Sequence, residues 1–356
     1  MASYIIRRLL LMVPTLIGIT VLVFVIMAMS PGGIGGAELD QMGQMTAGER
    51  EVREYYEQRY GLDKPVPVQY VRWLNMISPV GYETRDDGTL GAFGFKTPNL
   101  GTSFSRHRPV SELIIEALPI TLLLNALSIP LVYAIGIVSG IITARYRGHM
   151  IDVSIGGVFL ALWSVPVIWA GVMLIGLLAN QQYLQWFPTS GLHDMRADVM
   201  PFLPTWSGDT FQRGWLLDTL WHLVLPVICL SYTGFAFLSK LARGSLLENL
   251  GADFVRTARA KGVPERQVLF RHAFRNSLLA LITVAAGILP AMLGGSIIVE
   301  TIFSLPGMGR LGVDAVRERD RELLLAVTLI IGFVGLLSEL IRDICYAIAD
   351  PRVSYE

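Results

Sequence analysis

Ala117-Leu-Pro-Ile-Thr-Leu-Leu-Leu-Asn-Ala-Leu-Ser-Ile-Pro-Leu-Val-Tyr-Ala-Ile-Gly-Ile-Val-Ser-Gly-Ile-Ile-Thr-Ala144 runs for 28 residues without one Asp, Glu, Lys or Arg. A helix rising 1.5 Å per residue needs ~20 apolar residues to cross a bilayer core, so this run is long enough to span. Five more charge-free runs lie around it. The first has its apolar core at Leu9–Met29, and the others are Val153–Ala179, Thr219–Ser239, Asn276–Val299 and Leu323–Ser338. The last has only 16 residues, but Glu339, Arg342 and Asp343 close behind it can pair with one another or snorkel to the interface. The pattern predicts an all-α integral membrane protein with six transmembrane helices.

Composition agrees. Of 356 residues, 53 % are hydrophobic and only 16 % charged, where a soluble domain carries ~25 % charge. These figures exclude disorder, collagen-like repeats and a secreted disulfide scaffold. A net charge of zero gives the chain no general claim on nucleic acid. The two cysteines, Cys229 and Cys345, both fall in apolar segments and make neither a CxxC spacing nor a disulfide framework.

Arg7 and Arg8 before the first run resemble a signal-peptide start, but its core outlasts a ~7–15-residue h-region, so an uncleaved anchor is expected. Orientation follows from lysine and arginine. The side holding both termini carries 13 basic residues in 63, against 6 in 58 in the short segments opposite. Both termini are therefore expected in the cytoplasm. The outer region between helices one and two shows a helix signal, Thr46-Ala-Gly-Glu49 as a capping box with the charged run ending at Gly61. Asp63-Lys-Pro-Val-Pro then breaks the chain, Val68–Ile77 begins another helix, and Ser78–Pro98 reads as an irregular insertion. Trp186, Trp206 and Trp215 in the second outer loop suit a membrane interface.

Several chemistries are absent. The four lysines, Lys64, Lys96, Lys240 and Lys261, never follow a glycine, so there is no Walker A sequence. The five histidines show no metal-ligand spacing, and no serine-hydrolase signature is present. Buried ionisable groups are expected to be nearly missing from the spans, which disfavours a proton relay or ion-coupled carrier, and His222 reads as a satisfied or interfacial histidine. The spans are instead rich in Pro14, Pro119, Pro130, Pro166, Pro226 and Pro290, with Gly136, Gly140, Gly156, Gly157, Gly287, Gly294 and Gly295. Such residues permit close packing and kinks, whether as ordinary packing or as the walls of a pathway that bends.

The most informative segment between spans is Asp253-Phe-Val-Arg-Thr-Ala-Arg-Ala-Lys-Gly262-Val-Pro-Glu-Arg266. Asp253 can cap a helix over Phe254–Lys261, Gly262 can close it, and Pro264 suits the first turn of the next. Two short helices meeting at Gly-Val-Pro make a stiff elbow, on which Phe254 and Val255 offer apolar surface and Arg256 and Arg259 share a face.

The order of several short pieces resembles the membrane subunits of binding-protein-dependent ABC importers, specifically the dipeptide/oligopeptide permease B-type. These are Tyr4-Ile-Ile-Arg-Arg8, Tyr60-Gly-Leu-Asp-Lys-Pro-Val-Pro-Val-Gln-Tyr70, Leu100-Gly-Thr-Ser-Phe104, Arg108-Pro-Val110 and Asp253–Gly262. Phe270-Arg-His-Ala-Phe-Arg-Asn276, Val299-Glu-Thr-Ile-Phe-Ser-Leu-Pro-Gly-Met-Gly309 and Ala349-Asp-Pro-Arg352 complete the set. The family's EAA motif is reduced here to Arg256-Thr257-Ala258 with Gly262 retained, and its later I-x-L-P is lost.

The resemblance implies a type I ABC importer permease fold. Residues 1–29 would form helix one, 30–111 an extracytoplasmic loop region, 112–349 the permease domain with a coupling loop at 240–276, and 350–356 a cytoplasmic tail. It implies a prokaryotic plasma (inner) membrane location, a homologous second permease, two cytoplasmic ATPases and an extracytoplasmic binding protein. No catalytic residue, metal or cofactor is implied, and the implied cargo is short peptides. Nickel, an opine or an oligosaccharide is the alternative cargo, and an ion-coupled secondary transporter the alternative class. Asp253, Phe254, Val255, Arg256, Ala258, Arg259 and Gly262 are the implied ATPase-coupling residues. Glu300, Phe303, Pro306 and Gly307 are expected at the extracytoplasmic mouth, near the binding protein.

Overall fold

A computed structural model describes residues 2–29, 47–84, 90–207, 210–293 and 297–349. In chain order these form α1 (Ala2–Met29), α2 (Ala47–Tyr60), α3 (Val66–Ile77) and the strands β1 (Val80–Thr84), β2 (Leu90–Phe95), β3 (Thr102–Ser103) and β4 (Arg108–Pro109). Next come α4 (Val110–Arg145), α5 (Met150–Trp163), α6 (Val167–Leu174), β5 (Thr205–Ser207) and β6 (Thr210–Gln212). The remainder is α7 (Gly214–Gly251), α8 (Asp253–Ala260), α9 (Glu265–Gln267), α10 (Arg275–Leu293), α11 (Ile297–Ile302), α12 (Met308–Arg317) and α13 (Arg321–Ala349). Among the described residues the strands pair as three antiparallel hairpins.

Helices α1, α4, α7 and α13 are each long and apolar enough to cross a membrane. The third apolar run, expected as one transmembrane helix containing Pro166, is α5 and α6 bent by 91°. Pro166 has no N–H and disfavours helical geometry at Val165, which forces the break. The freed backbone groups are re-paired. Ser164 and Val165 donate to carbonyls of the preceding turn, and the Tyr232 hydroxyl on α7 donates to Val165 O at 2.6 Å. With the 19-residue α10, six apolar segments are helical.

The chain packs as two compact units. The unit built on Ala117–Arg310 and the last part of α13 brings α4 against α7 through small residues. A Cβ on Gly136 would lie 2.8 Å from Leu238, and one on Gly140 would lie 2.6 Å from Ala242 Cβ and 2.9 Å from Ser239 O. Ser139 Oγ donates to Ser239 Oγ at 2.9 Å in the same seam. Between helices in lipid, where the hydrophobic effect supplies no drive, contact of this kind holds the pair.

The second unit, built on Ala2–Glu116 and Leu311–Leu336, buries Phe24, Tyr56, Tyr60, Trp73, Met76 and Leu325 together. Thr46 of the expected capping box lies outside the described residues, but α2 ends at Gly61 as expected, with φ +66°. Ser78–Pro98, expected to be irregular, contains the β1–β2 hairpin, whose exposed Tyr82 and Phe93 rings stack edge to face. Alternation in Val80–Thr84 is too short to have been read as a strand.

The same unit holds the start of α13 by carboxylates. Asp320 caps the helix by accepting from Leu323 N–H at 3.1 Å, and it also accepts from the hydroxyls of Ser103 and Ser105. Buried Glu322 accepts from the Tyr60 hydroxyl at 2.9 Å and pairs with Arg59 at 3.0 Å. That ion pair is off the hydrogen-bonding angle at Arg59 Nε, while the other guanidinium nitrogens donate to Asn99. Burial and the Glu322 charge push the Tyr60 phenol well above its ordinary value, so it stays a donor.

Replacing Gly140 by Leu should wedge α4 from α7. Overpacking costs ~1–3 kcal/mol, so the detergent-solubilised chain should unfold at a clearly lower temperature than wild type. An unchanged unfolding temperature would show that the seam does not hold this unit.

Candidate functional site

The elbow is built as a closed unit. Helix α7 runs on to Gly251, some 12 residues beyond the apolar run that ends at Ser239. The chain then breaks at Ala252, whose extended backbone serves as the N-cap of α8. The expectation that Asp253 caps the helix is corrected here. Asp253 is its first residue, makes no capping bond, and faces Arg256 at 3.4 Å across an exposed pair. Its charge still suits the positive end of the helix.

The far end closes as the sequence implied. Gly262 has φ +74°, its N–H reaches Arg259 O at 2.9 Å, and Val263 N–H reaches Ala258 O at 3.2 Å. These two bonds form a Schellman closure. Pro264 then stands at the N-cap of α9 rather than inside its first turn, and its missing N–H costs nothing there. Arg259 bridges the corner with two hydrogen bonds to Glu265, at 2.7 and 3.2 Å. From α9 the helix passes through a π segment, Val268–Phe274, into α10.

Side chains sort by face. Val255 is fully buried and Ala258 nearly so, packed with Leu246, Val268, Leu269 and Ala273. Val255 is therefore no docking surface, which corrects the sequence reading; it anchors α8 to its own chain. Phe254 is 41 % exposed and Arg256 is open to solvent, whereas Arg259 is engaged by Glu265. A helical period of 3.6 places Phe254 and Val255 about 100° apart, so one cannot bury both against the same surface.

The segment Glu300–Arg310 is organised from within. Glu300 is wholly buried within α11, where its carboxylate accepts from the Thr121 hydroxyl at 3.0 Å and from Arg310 N–H at 2.9 Å. Thr121 in turn accepts from Met308 N–H at 2.8 Å. Gly307 and Gly309 leave room for this carboxylate: a Cβ on Gly307 would lie 2.5 Å from its Cδ. Phe303 is buried with Leu124, Val299 and Leu305, so it is part of a core rather than an open contact. Pro306 and Ser304 are exposed.

The elbow residues are brought together on one short helix, and Glu300, Phe303, Pro306 and Gly307 on one loop. Missed from sequence were Thr121, Asp320, Glu322 and Arg59, none of which stands out in its own apolar or charged neighbourhood. Asp218 and Glu322 are also buried, each standing one residue before the charge-free runs that begin at Thr219 and Leu323. His222 is satisfied as expected, with Nδ1 2.8 Å from Asp218 O. Among the described residues no group of three or more His, Cys, Asp or Glu side chains could hold a metal ion.

Six apolar helical segments, a braced elbow between two of them and a loop folded on a buried carboxylate describe a polytopic membrane protein. Comparison with known proteins makes the class specific. Residues 136–355 match the binding-protein-dependent transport system inner membrane component family, and residues 1–125 match the N-terminal region of such components. The oligopeptide transport system permease protein AppB of Bacillus subtilis (strain 168) is 38 % identical, with all of both chains covered. A putative peptide transport system permease protein of Brucella suis biovar 1 (strain 1330) is 33 % identical and the di/tripeptide transport system permease protein DppB of Pseudomonas aeruginosa (strain UCBPP-PA14) 32 %, again over all of both chains. The chain belongs to the binding-protein-dependent transport system inner membrane components, the membrane permease subunits of ABC importers, and is not itself an enzyme.

Two outcomes test this geometry. Glu300→Ala would leave the Thr121 hydroxyl and Arg310 N–H buried without their acceptor, at ~1–3 kcal/mol for each unsatisfied group. It should lower the unfolding temperature far more than Glu300→Gln, which keeps an acceptor oxygen; equal effects would contradict the clamp.

Arg259 holds the Glu265 carboxyl below its ordinary 4.5, so the unfolded chain takes up this proton more readily than the folded elbow. The pair's contribution is therefore complete at neutral pH and fades as pH falls below about 4.5. Because both groups are exposed it is worth only ~0.2–1 kcal/mol. At pH 7, Glu265→Gln should speed hydrogen exchange across 256–262 by no more than about fivefold. The effect of the substitution should shrink as pH falls below about 4.5 and on through the depressed value of the folded carboxyl, and an effect that did not shrink on acidification would refute the pairing.

Proposed function

We propose that this chain forms half of the translocation pathway of an ATP-driven importer for short peptides, and that α8 receives the stroke of the ATPases. The supporting observation is the elbow: a short helix fixed by buried Val255, closed at Gly262 and braced by Arg259–Glu265. A positive-inside bias needs charge but not shape, and this segment has both. The peptide cargo is suggested by the names of relatives that match from end to end. A homologous second permease completes the pathway, two ATPases dock from the cytoplasm, and a binding protein delivers substrate from the other side.

In this reading Phe254 enters an apolar groove on the ATPase and Arg256 meets acidic residues at its rim. Arg259 acts as a brace within the elbow. Asp253 biases the helix dipole, and Ala258 with Val255 seats the helix on its own chain. At the extracytoplasmic mouth, Pro306 is offered to the binding protein, while Glu300, Phe303 and Gly307 hold the loop that presents it. The permease domain spans 112–349, preceded by an anchor helix over 1–29 and an extracytoplasmic region over 30–111.

Gly262→Val is the direct test. A β-branched residue there is forced into the left-handed region, at roughly 1 kcal/mol or more, and its side chain meets no neighbour within the chain. The variant should insert normally but bind its ATPases weakly or hydrolyse ATP without transport. Normal transport by an assembled Gly262→Val complex would remove α8 from coupling. Orientation is tested separately: cysteines introduced at Thr84 and Glu356 should be labelled by an impermeant reagent from opposite sides of the membrane, and labelling from one side would overturn the topology.

A further inference from the structure

Between α5 and α7 lies a half-open groove of about 560 Å³ that the transport reading leaves without a role. Its two ends differ in chemistry. At one end Lys240 and Arg243 stand on α7 opposite Asp152 on α5, with Arg243 donating to that carboxylate from Nε and Nη2 at 3.0 and 2.8 Å. Lys240 is exposed and, among the described residues, has no hydrogen-bond or ion-pair partner. Arg145 at the end of α4 and Arg147 in the turn that leads into α5 add two further cations at this end of the spans. Along the rest of the groove the walls are apolar: Phe159, Leu160 and Trp163 from α5 and Phe237 from α7, the last three more than half-exposed or nearly so.

The dimensions fit an amphiphile. From Asp152 to Trp163 the helix advances about 16 Å, close to half of a ~30 Å hydrocarbon core. A ligand whose charged end sits at Lys240 would therefore reach mid-bilayer along Phe237 and Trp163, the depth of one leaflet. Positive charge is in excess at the polar end, because Asp152 is already paired with Arg243 and Lys240 is not. Basic pockets between spans hold anionic lipid headgroups in this way. We infer that the α5–α7 groove is a binding site for an anionic phospholipid, with its phosphate on Lys240 and the unengaged Nη1 of Arg243 and one acyl chain along Leu160, Trp163 and Phe237. A free anion would use the cations but not the apolar walls. A second protein chain would use the walls but leave Lys240 to find its own carboxylate.

The test uses the assembled transporter in nanodiscs of phosphatidylcholine with a minor share of phosphatidylglycerol, released into detergent and read by native mass spectrometry. Wild type should retain phosphatidylglycerol selectively. Lys240→Ala should reduce that retention about fivefold, the loss expected for one basic residue at a membrane surface, and Lys240→Arg should restore it. Equal retention by wild type and Lys240→Ala would overturn the proposal. So would displacement of the lipid by millimolar inorganic phosphate, which would mark a free-anion site. High-yield crosslinking of Phe237→Cys to the second permease by a thiol-attached photoreactive reagent would overturn it too, because the groove would then be a subunit interface.

Discussion

A peptide N–H or C=O left unpaired in hydrocarbon costs several kcal/mol, and the shape of this chain follows from that constraint. Long helices satisfy it unaided. At three breaks among the described residues, side chains take over orphaned groups. At Ser164–Pro166 the Tyr232 hydroxyl serves Val165 O. After α11, the Glu300 carboxylate and Thr121 hydroxyl serve the N–H groups of Arg310 and Met308. Before α13, Asp320 serves Leu323 N–H and two serine hydroxyls. Polar residues are thus concentrated at interruptions, and the interruptions are where a transporter can hinge.

The elbow obeys the same rule outside the apolar segments. Its two ends are closed by backbone bonds and by Gly262, so α8 needs no partner to keep its shape. A helix of eight residues has little stability of its own, and here packing of Val255 and Ala258 supplies it. That division leaves Phe254 and Arg256 exposed, Arg256 held only by its open pair with Asp253. Rigidity and availability are carried by different residues of one short segment.

Much of this was legible in the sequence. Charge-free runs located all six apolar segments because lipid burial demands apolarity along the whole length of a span. Gly262 and Pro264 marked the elbow because left-handed and N–H-free positions select those residues. What the sequence did not show are the groups paired across long separations. Thr121 and Glu300 are 179 residues apart, and Tyr60 and Glu322 are 262 apart. Each looks ordinary locally: one threonine in an apolar run, one glutamate after another, a tyrosine at a helix end. The burial of Val255 was hidden for a related reason, since its partners Val268, Leu269 and Ala273 lie in the π segment beyond the elbow. The β1–β2 hairpin escaped because its glycines and threonines also suit a loop.

The account depends most on α8 being the surface through which the ATPase acts. Site-directed crosslinking from Phe254→Cys in an assembled, otherwise cysteine-free transporter tests this most directly. The account predicts a crosslink to the ATPase subunit from Phe254→Cys and none from Val255→Cys, whose side chain faces inward. A crosslinking pattern in which neither position captures the ATPase, in a complex that still transports, would contradict it.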